Sequence, residues 1–255
     1  MLSCRRLARV LLAACLLCPS AGAAARAEFD LSAARESELP NGLHLVVLED
    51  HALPLVALDL YIAGGAAVEP AGASGAAHFI EHLVFRSASA QGALGEALEQ
   101  MGAEVDAQTT RDFTHYYFQV LPSDLQQALA LLARALFDLR FDEAVFAAEQ
   151  KILALELGAS YDAQTRLEEI LYREAFRGTP YATAPGGSPE SIAALNSQQV
   201  RDFYHLRYVP QRAVLCVVGE IDTEAVLAAA NSAFGFRRSL GTAAPPPPVL
   251  PPLLE

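Results

Sequence analysis

Two stretches near the start of the chain, "LHLVVLED" at 43–50 and "PLVALDLYIAGG" at 54–65, are dense in Val, Leu and Ile and are parted by the turn-prone "HALP". They predict two strands, with Asn41-Gly42 as a turn ahead of the first. After "EPAGASG" the pattern changes to helical spacing in "AAHFIEHLVF", residues 76–85, and a second helix is expected at about 92–102. "AEVDAQTT" at 103–110 and the aromatic, β-branched "FTHYYFQVL" at 113–121 read as extended chain, the latter as a strand. Pro122-Ser123 opens a helix through "PSDLQQALALLARALFD", and two more run through "DEAVFAAEQKILALELGAS" and "QTRLEEILYREAFRG". The loop "TPYATAPGGSPES" leads to helical segments ending near Arg207, a strand at 213–219 and a last helix at about 223–233. Helices and strands in one run, without an internal repeat or a Gly-rich phosphate loop, predict a single α+β domain.

The two ends read differently. "MLSCRRLARVLLAACLLCPSAGAAARA" carries Arg5, Arg6 and Arg9, an apolar run from Val10 to Cys18, and small residues ending in Ala25-Arg26-Ala27. This pattern predicts a secretory signal peptide over residues 1–27 and hence a periplasmic or extracellular, bacterial location. A lipoprotein box at Leu12-Ala13-Ala14-Cys15 leaves a short apolar run before it, and a mitochondrial presequence does not suit an all-round apolar 10–18. The Pro-rich "APPPPVLPPLLE" within 238–255 reads as a stiff linker or tail, leaving 28–237 as the folded domain. Cys4, Cys15 and Cys18 would depart with the signal, so Cys216 is expected as a buried small hydrophobe rather than a disulfide partner.

Composition narrows the field. The 255 residues are 53% apolar, ample for a packed core. A net charge of -12, with one lysine against seventeen arginines, predicts no nucleic-acid partner, because no basic stripe could neutralise phosphates. No stretch after the leader reaches the eighteen or so apolar residues of a membrane span.

Two of the six histidines lie inside the apolar run 76–85. On a helix His82 lies about 40° from His78, and Glu81 about 60° to the other side, so the three share one face. Phe79, Ile80 and Leu83 fall opposite, where they can pack. Imidazoles at i and i+4 with a carboxylate at i+3 can hold zinc and place the glutamate beside the water that zinc activates. The competing reading is two satisfied core histidines and a solvated glutamate, but His-x-x-Glu-His is expected by chance only about 0.01 times in such a chain.

A zinc site needs a third ligand. Glu149 and Glu156 share one face of the helix through 142–157 but lie about 10.5 Å apart along its axis, so both cannot hold one ion. Glu156 sits between Leu155 and Leu157, a position suited to a partly buried ligand. Both could equally form a polar stripe, and spacing does not rank Glu156 above Glu149, Glu104 or His115.

Taken together, "LPNGLHLVVLED", "AAHFIEHLVF", "MGAEVDAQTTRDFTHYYF", "EQKILALELGAS", "GSPESIAALNSQQVRDFYHLRYVP" and "AVLCVVGEID" resemble the N-terminal catalytic domain of the pitrilysin/insulinase family of zinc peptidases, from about Leu39 to Phe236. The resemblance implies a mostly antiparallel sheet packed against several helices. Glu156 stands 74 residues after His82, and Glu149 seven before Glu156, matching the family's pattern. It therefore implies one zinc ion held by His78, His82 and Glu156, with Glu81 as general base and Glu149 orienting the ligands from behind. An extended peptide would add along "AEVDAQTT", at Ala107 and Gln108. Three positions depart from the family's usage: Asp106 stands for an asparagine, Ser87-Ala88 for Gly-Thr, and "TPYATAPGG" lacks an arginine. The implied function is a zinc metalloendopeptidase for peptides or unfolded protein segments, completed by a homologous second half or sister subunit. The alternative is a non-catalytic, zinc-containing peptide-binding or assembly subunit of a two-chain peptidase.

Overall fold

The computed structural model describes residues 31–237 apart from 87, 90–91 and 160–162. The expected signal peptide, the Pro-rich tail and Ser87 lie outside the described residues. The chain divides into two compact units, Met1–Ala33 and Ala34–Glu255; of the first, only a 3₁₀ turn at Leu31–Ala33 is described. The second unit carries the fold.

Six strands form its main sheet: β1 (Arg35–Glu38), β2 (His44–Glu49), β3 (Val56–Ile62), β6 (Glu104–Thr109), β7 (Thr114–Val120) and β8 (Ala213–Gly219). A two-strand ribbon, β4 (Ala88–Ser89) with β5 (Gly92–Ala93), stands apart. The helices are α1 (Ala76–Arg86), α2 (Leu94–Gln100), α3 (Leu125–Phe137), α4 (Glu143–Ala159), α5 (Ala163–Ala175), α6 (Pro189–Ala194), α7 (Ser197–Arg207) and α8 (Thr223–Phe234). The sheet order is β1-β2-β8-β3-β7-β6, parallel between β2 and β8 and antiparallel elsewhere. This is the α+β, mostly antiparallel arrangement that the resemblance implied.

Period-2 patterning sets the two faces of the sheet. Val56, Leu58, Leu60 and Ile62 lie opposite Val120, Phe118, Tyr116 and Thr114, and all eight are buried under the helices. The other face carries Ala57, Asp59 and Tyr61 beside Gln119, Tyr117 and His115, all half-buried. Cys216 pairs with Asp59 on that face and is half-buried too, so it is not the core residue the apolar run suggested. The missed strand β1 reads "RESE" and has no apolar alternation to betray it.

Helix α1 runs beneath the sheet against α4, α7, β6 and β7. Its expected apolar side packs as read: Phe79 stacks on Phe146 of α4 with ring centroids 4.4 Å apart, and Ile80, Leu83 and Val84 are buried. Each such side chain stabilises the placement by about 1.5–3 kcal/mol. The helix begins sharply because Gly75 adopts φ +92, and a Cβ there would lie 2.5 Å from Ile192 Cδ1. Glu69 then caps it, accepting hydrogen bonds from the Gly75 and Ala77 backbone N–H groups at 3.0 and 2.8 Å.

Helix α5 has no buried residue among those described. The β6–β7 turn holds it through Arg111, which pairs with Glu169 at 2.8 Å, stacks 3.7 Å over the Tyr172 ring and donates to the Tyr181 carbonyl at 2.9 Å.

Candidate metal centre

The α1–α4 packing brings His78, His82 and Glu156 together, with one donor atom from each within 4.8 Å of the others. His78 Nε2 lies 3.7 Å from Glu156 Oε1, and His82 Nε2 lies 3.3 Å from Glu156 Oε2. Bonds of about 2.0–2.1 Å to a tetrahedral zinc ion would set its ligands about 3.4 Å apart, so the donor set fits zinc in type and spacing. The two imidazoles meet nearly at right angles, with ring centroids 4.9 Å apart. Burial, and then the neighbouring His82, push the His78 imidazole down to about 4, which keeps it the neutral ring a metal requires.

Glu149 takes the position behind the ligands. Its Oε2 lies 3.1 Å from His82 Nδ1, and its Oε1 3.6 Å from Arg86 Nε. A proton on Nδ1 satisfies this contact and leaves Nε2 with its lone pair directed at the cluster. Of the two carboxylates Glu149 is the enclosed one, its side chain 5% exposed, whereas Glu156 is partly buried, its side chain 41% exposed beside an exposed Leu155.

Glu81 is buried, 9% exposed, on the sheet side of α1 rather than solvated. Burial raises its carboxyl above the usual range, against the opposing pull of a 2.6 Å hydrogen bond donated by the Thr109 hydroxyl. Glu81, His78 and Glu156 open on a cleft of about 350 Å³, also lined by Ala107, Gln108, Thr109, Thr165 and Gly186. The edge strand β6 thus passes through the cleft wall, with Ala107 and Gln108 among its lining residues. Glu104 and His115 stand outside the cluster; His115 instead pairs with Asp59 at 3.0 Å. A larger hollow of about 470 Å³, lined by Arg166, Ile170 and Arg173, holds none of the donors and shares only Glu169 with the cleft.

Sequence reasoning missed Thr109, Gly186 and Glu69. A Cβ at Gly186 would lie 2.8 Å from Leu157 Cδ2 and 3.3 Å from His78 Nδ1, so a glycine lets this loop close over the ligand ring. Only the fold shows this, because residues 108 positions apart carry no common local pattern.

The sheet-backed helix and its His-His-Glu cluster form a candidate three-donor metal site beside an edge strand. Residues 45–185 match the Insulinase (Peptidase family M16) model, and the chain belongs to this family. Residues 194–254 match the Peptidase M16 inactive domain. An uncharacterised zinc protease of Mycobacterium leprae is 31% identical over 212 residues, spanning 82% of this chain and 48% of its own length. The beta subunit of the Bos taurus mitochondrial-processing peptidase is 30% identical over 239 residues, spanning 91% and 48%. The first half of the Escherichia coli periplasmic protease PqqL superposes with a TM-score of 0.78 at 26% identity, covering 86% of this chain and 49% of that one. The chain spans about half the length of the curated relatives it matches. Among the described residues no helix is long and apolar enough to cross a membrane.

Proposed function

We propose that the chain is the metal-bearing half of an exported zinc endopeptidase that cleaves peptides or unfolded protein segments together with a homologous second half. The observation that carries this is the convergence of His78, His82 and Glu156 within 4.8 Å beside the buried Glu81. In this reading His78, His82 and Glu156 hold one zinc ion, and Glu149 fixes the tautomer and aim of His82. Zinc bound there would polarise the scissile carbonyl and make water a stronger nucleophile near neutral pH. Glu81 takes the proton from the attacking water and returns it to the leaving amine; its raised affinity for protons suits both steps. The edge strand β6 would present an extended substrate at Ala107 and Gln108 by backbone pairing. The half-length match to the relatives supports a second half, and the arginine-led apolar pattern over residues 1–27 supports export.

The test is hydrolysis of a quenched fluorescent peptide library by the zinc-loaded chain, alone and with its homologous second half, beside Glu81→Gln. Cleavage lost in Glu81→Gln by at least about a hundredfold, and lost on chelation, is the expected result. Stoichiometric zinc without cleavage in any combination would reject catalysis in favour of a peptide-binding or assembly subunit.

A further inference from the structure

Glu81 does not stand alone in its pocket. The Thr109 hydroxyl donates to its Oε2 at 2.6 Å, and Thr109 Oγ1 lies 3.1 Å from Thr114 Oγ1. The two threonines are direct cross-strand partners, Thr109 ending β6 and Thr114 opening β7. Thr114 is buried.

Each hydroxyl has one proton to donate. When Glu81 is the carboxylate that a general base must be, Thr109 gives its proton to Glu81 and must accept from Thr114. The two threonine hydroxyls thus have one consistent direction, ending on the carboxylate. Hydrogen bonds aligned in this way strengthen one another in a dry interior.

We propose that Thr109 is a positioning residue for Glu81: with Thr114 behind it, its hydroxyl pins Oε2 and sets the plane in which the other carboxylate oxygen meets the cleft. The inference rests on the peptidase reading above. A carboxylate on a helix can rotate about its side-chain bonds, and a hydrogen bond from a strand fixes it relative to β6, the element along which substrate would lie. Misplacement of such a group by about 1 Å costs about a hundredfold in rate.

The experiment compares Thr109→Val and Thr109→Ser with wild type in the zinc-loaded protein, assembled with its second half. Positioning predicts kcat lowered about tenfold to a hundredfold in Thr109→Val, with KM and zinc content near wild type, and recovery to within about threefold in Thr109→Ser. In zinc-free protein, denaturation midpoints of Thr109→Val, Glu81→Ala and the double variant should be non-additive, which reads the hydrogen bond without activity. An active wild type with kcat unchanged in folded, zinc-loaded Thr109→Val overturns the positioning role, as does additivity in the cycle. An inactive wild type overturns the peptidase reading, and this inference with it.

Discussion

Glu149 and Glu156 are two turns apart on α4 and have opposite surroundings, and that contrast assigns their roles better than spacing could. The helical period put both on one face, but how deep each sits depends on where α4 crosses α1, which no local pattern encodes. The enclosed Glu149 is held between His82 and Arg86, while the open Glu156 meets both Nε2 atoms. A carboxylate behind a ligating imidazole raises its basicity and fixes its ring. Glu149→Gln keeps an acceptor for His82 but removes the charge, so zinc affinity should fall about tenfold to a hundredfold, measured by competition with a chromogenic chelator. Glu156→Gln, which replaces the proposed carboxylate ligand with a neutral amide, should weaken binding further. Wild-type affinity in Glu149→Gln would mean that the glutamate serves only as a buried ion-pair partner. His78 and His82, by contrast, were legible from the sequence, because i and i+4 on a helix share a face under any tertiary packing.

At the scale of elements, α1 depends on a carboxylate that lies seven residues before its first turn. Burial pushes the Glu69 carboxyl up to about 7, against the pull of the Ala77, Gly75 and Ala76 backbone N–H groups that favour its charge. The folded protein thus binds this proton more tightly than the unfolded chain, whose carboxyl titrates near 4.5. The resulting stability is fully present below pH 4.5 and is lost as pH rises through about 7, on the order of 3 kcal/mol over that window. Chemical denaturation of the zinc-free chain between pH 5 and pH 8 should show this decline, and Glu69→Gln should flatten it even if it lowers stability overall through the lost cap. An unchanged slope in Glu69→Gln would place the pH dependence elsewhere. Elements with strong periodicity, such as α1, β3 and β7, were readable because burial imposes their pattern. The polar edge strand β1 and the two-residue strands β4 and β5 were not, since they carry no apolar alternation to read, and the loop over His78 owes its form to a ring 108 residues away.

For the whole molecule, the decisive fact is the position of β8. Residues 45–185 and 194–254 match two different family models, yet β8, from the second match, lies between β2 and β3 of the first. Its register runs parallel along His44–Glu49 and antiparallel along Val56–Ile62, so it satisfies backbone groups on both neighbours. Leu215 and Val217 are buried at the sheet's centre, and α8 packs behind them against α3 and β2. The described parts of the two matches therefore share one sheet, although His78, His82 and Glu156 all belong to the first. A chain ended at residue 193 keeps every donor but leaves β2 and β3 with unpaired edges facing an empty slot, where each buried, unsatisfied backbone group costs about 1–3 kcal/mol. Such a truncation should show no cooperative unfolding transition by circular dichroism and no stoichiometric zinc binding, whereas a chain ended at residue 237 should show both. Cooperative unfolding of the shorter chain would mean that the metal centre needs only the helices and β3, β7 and β6.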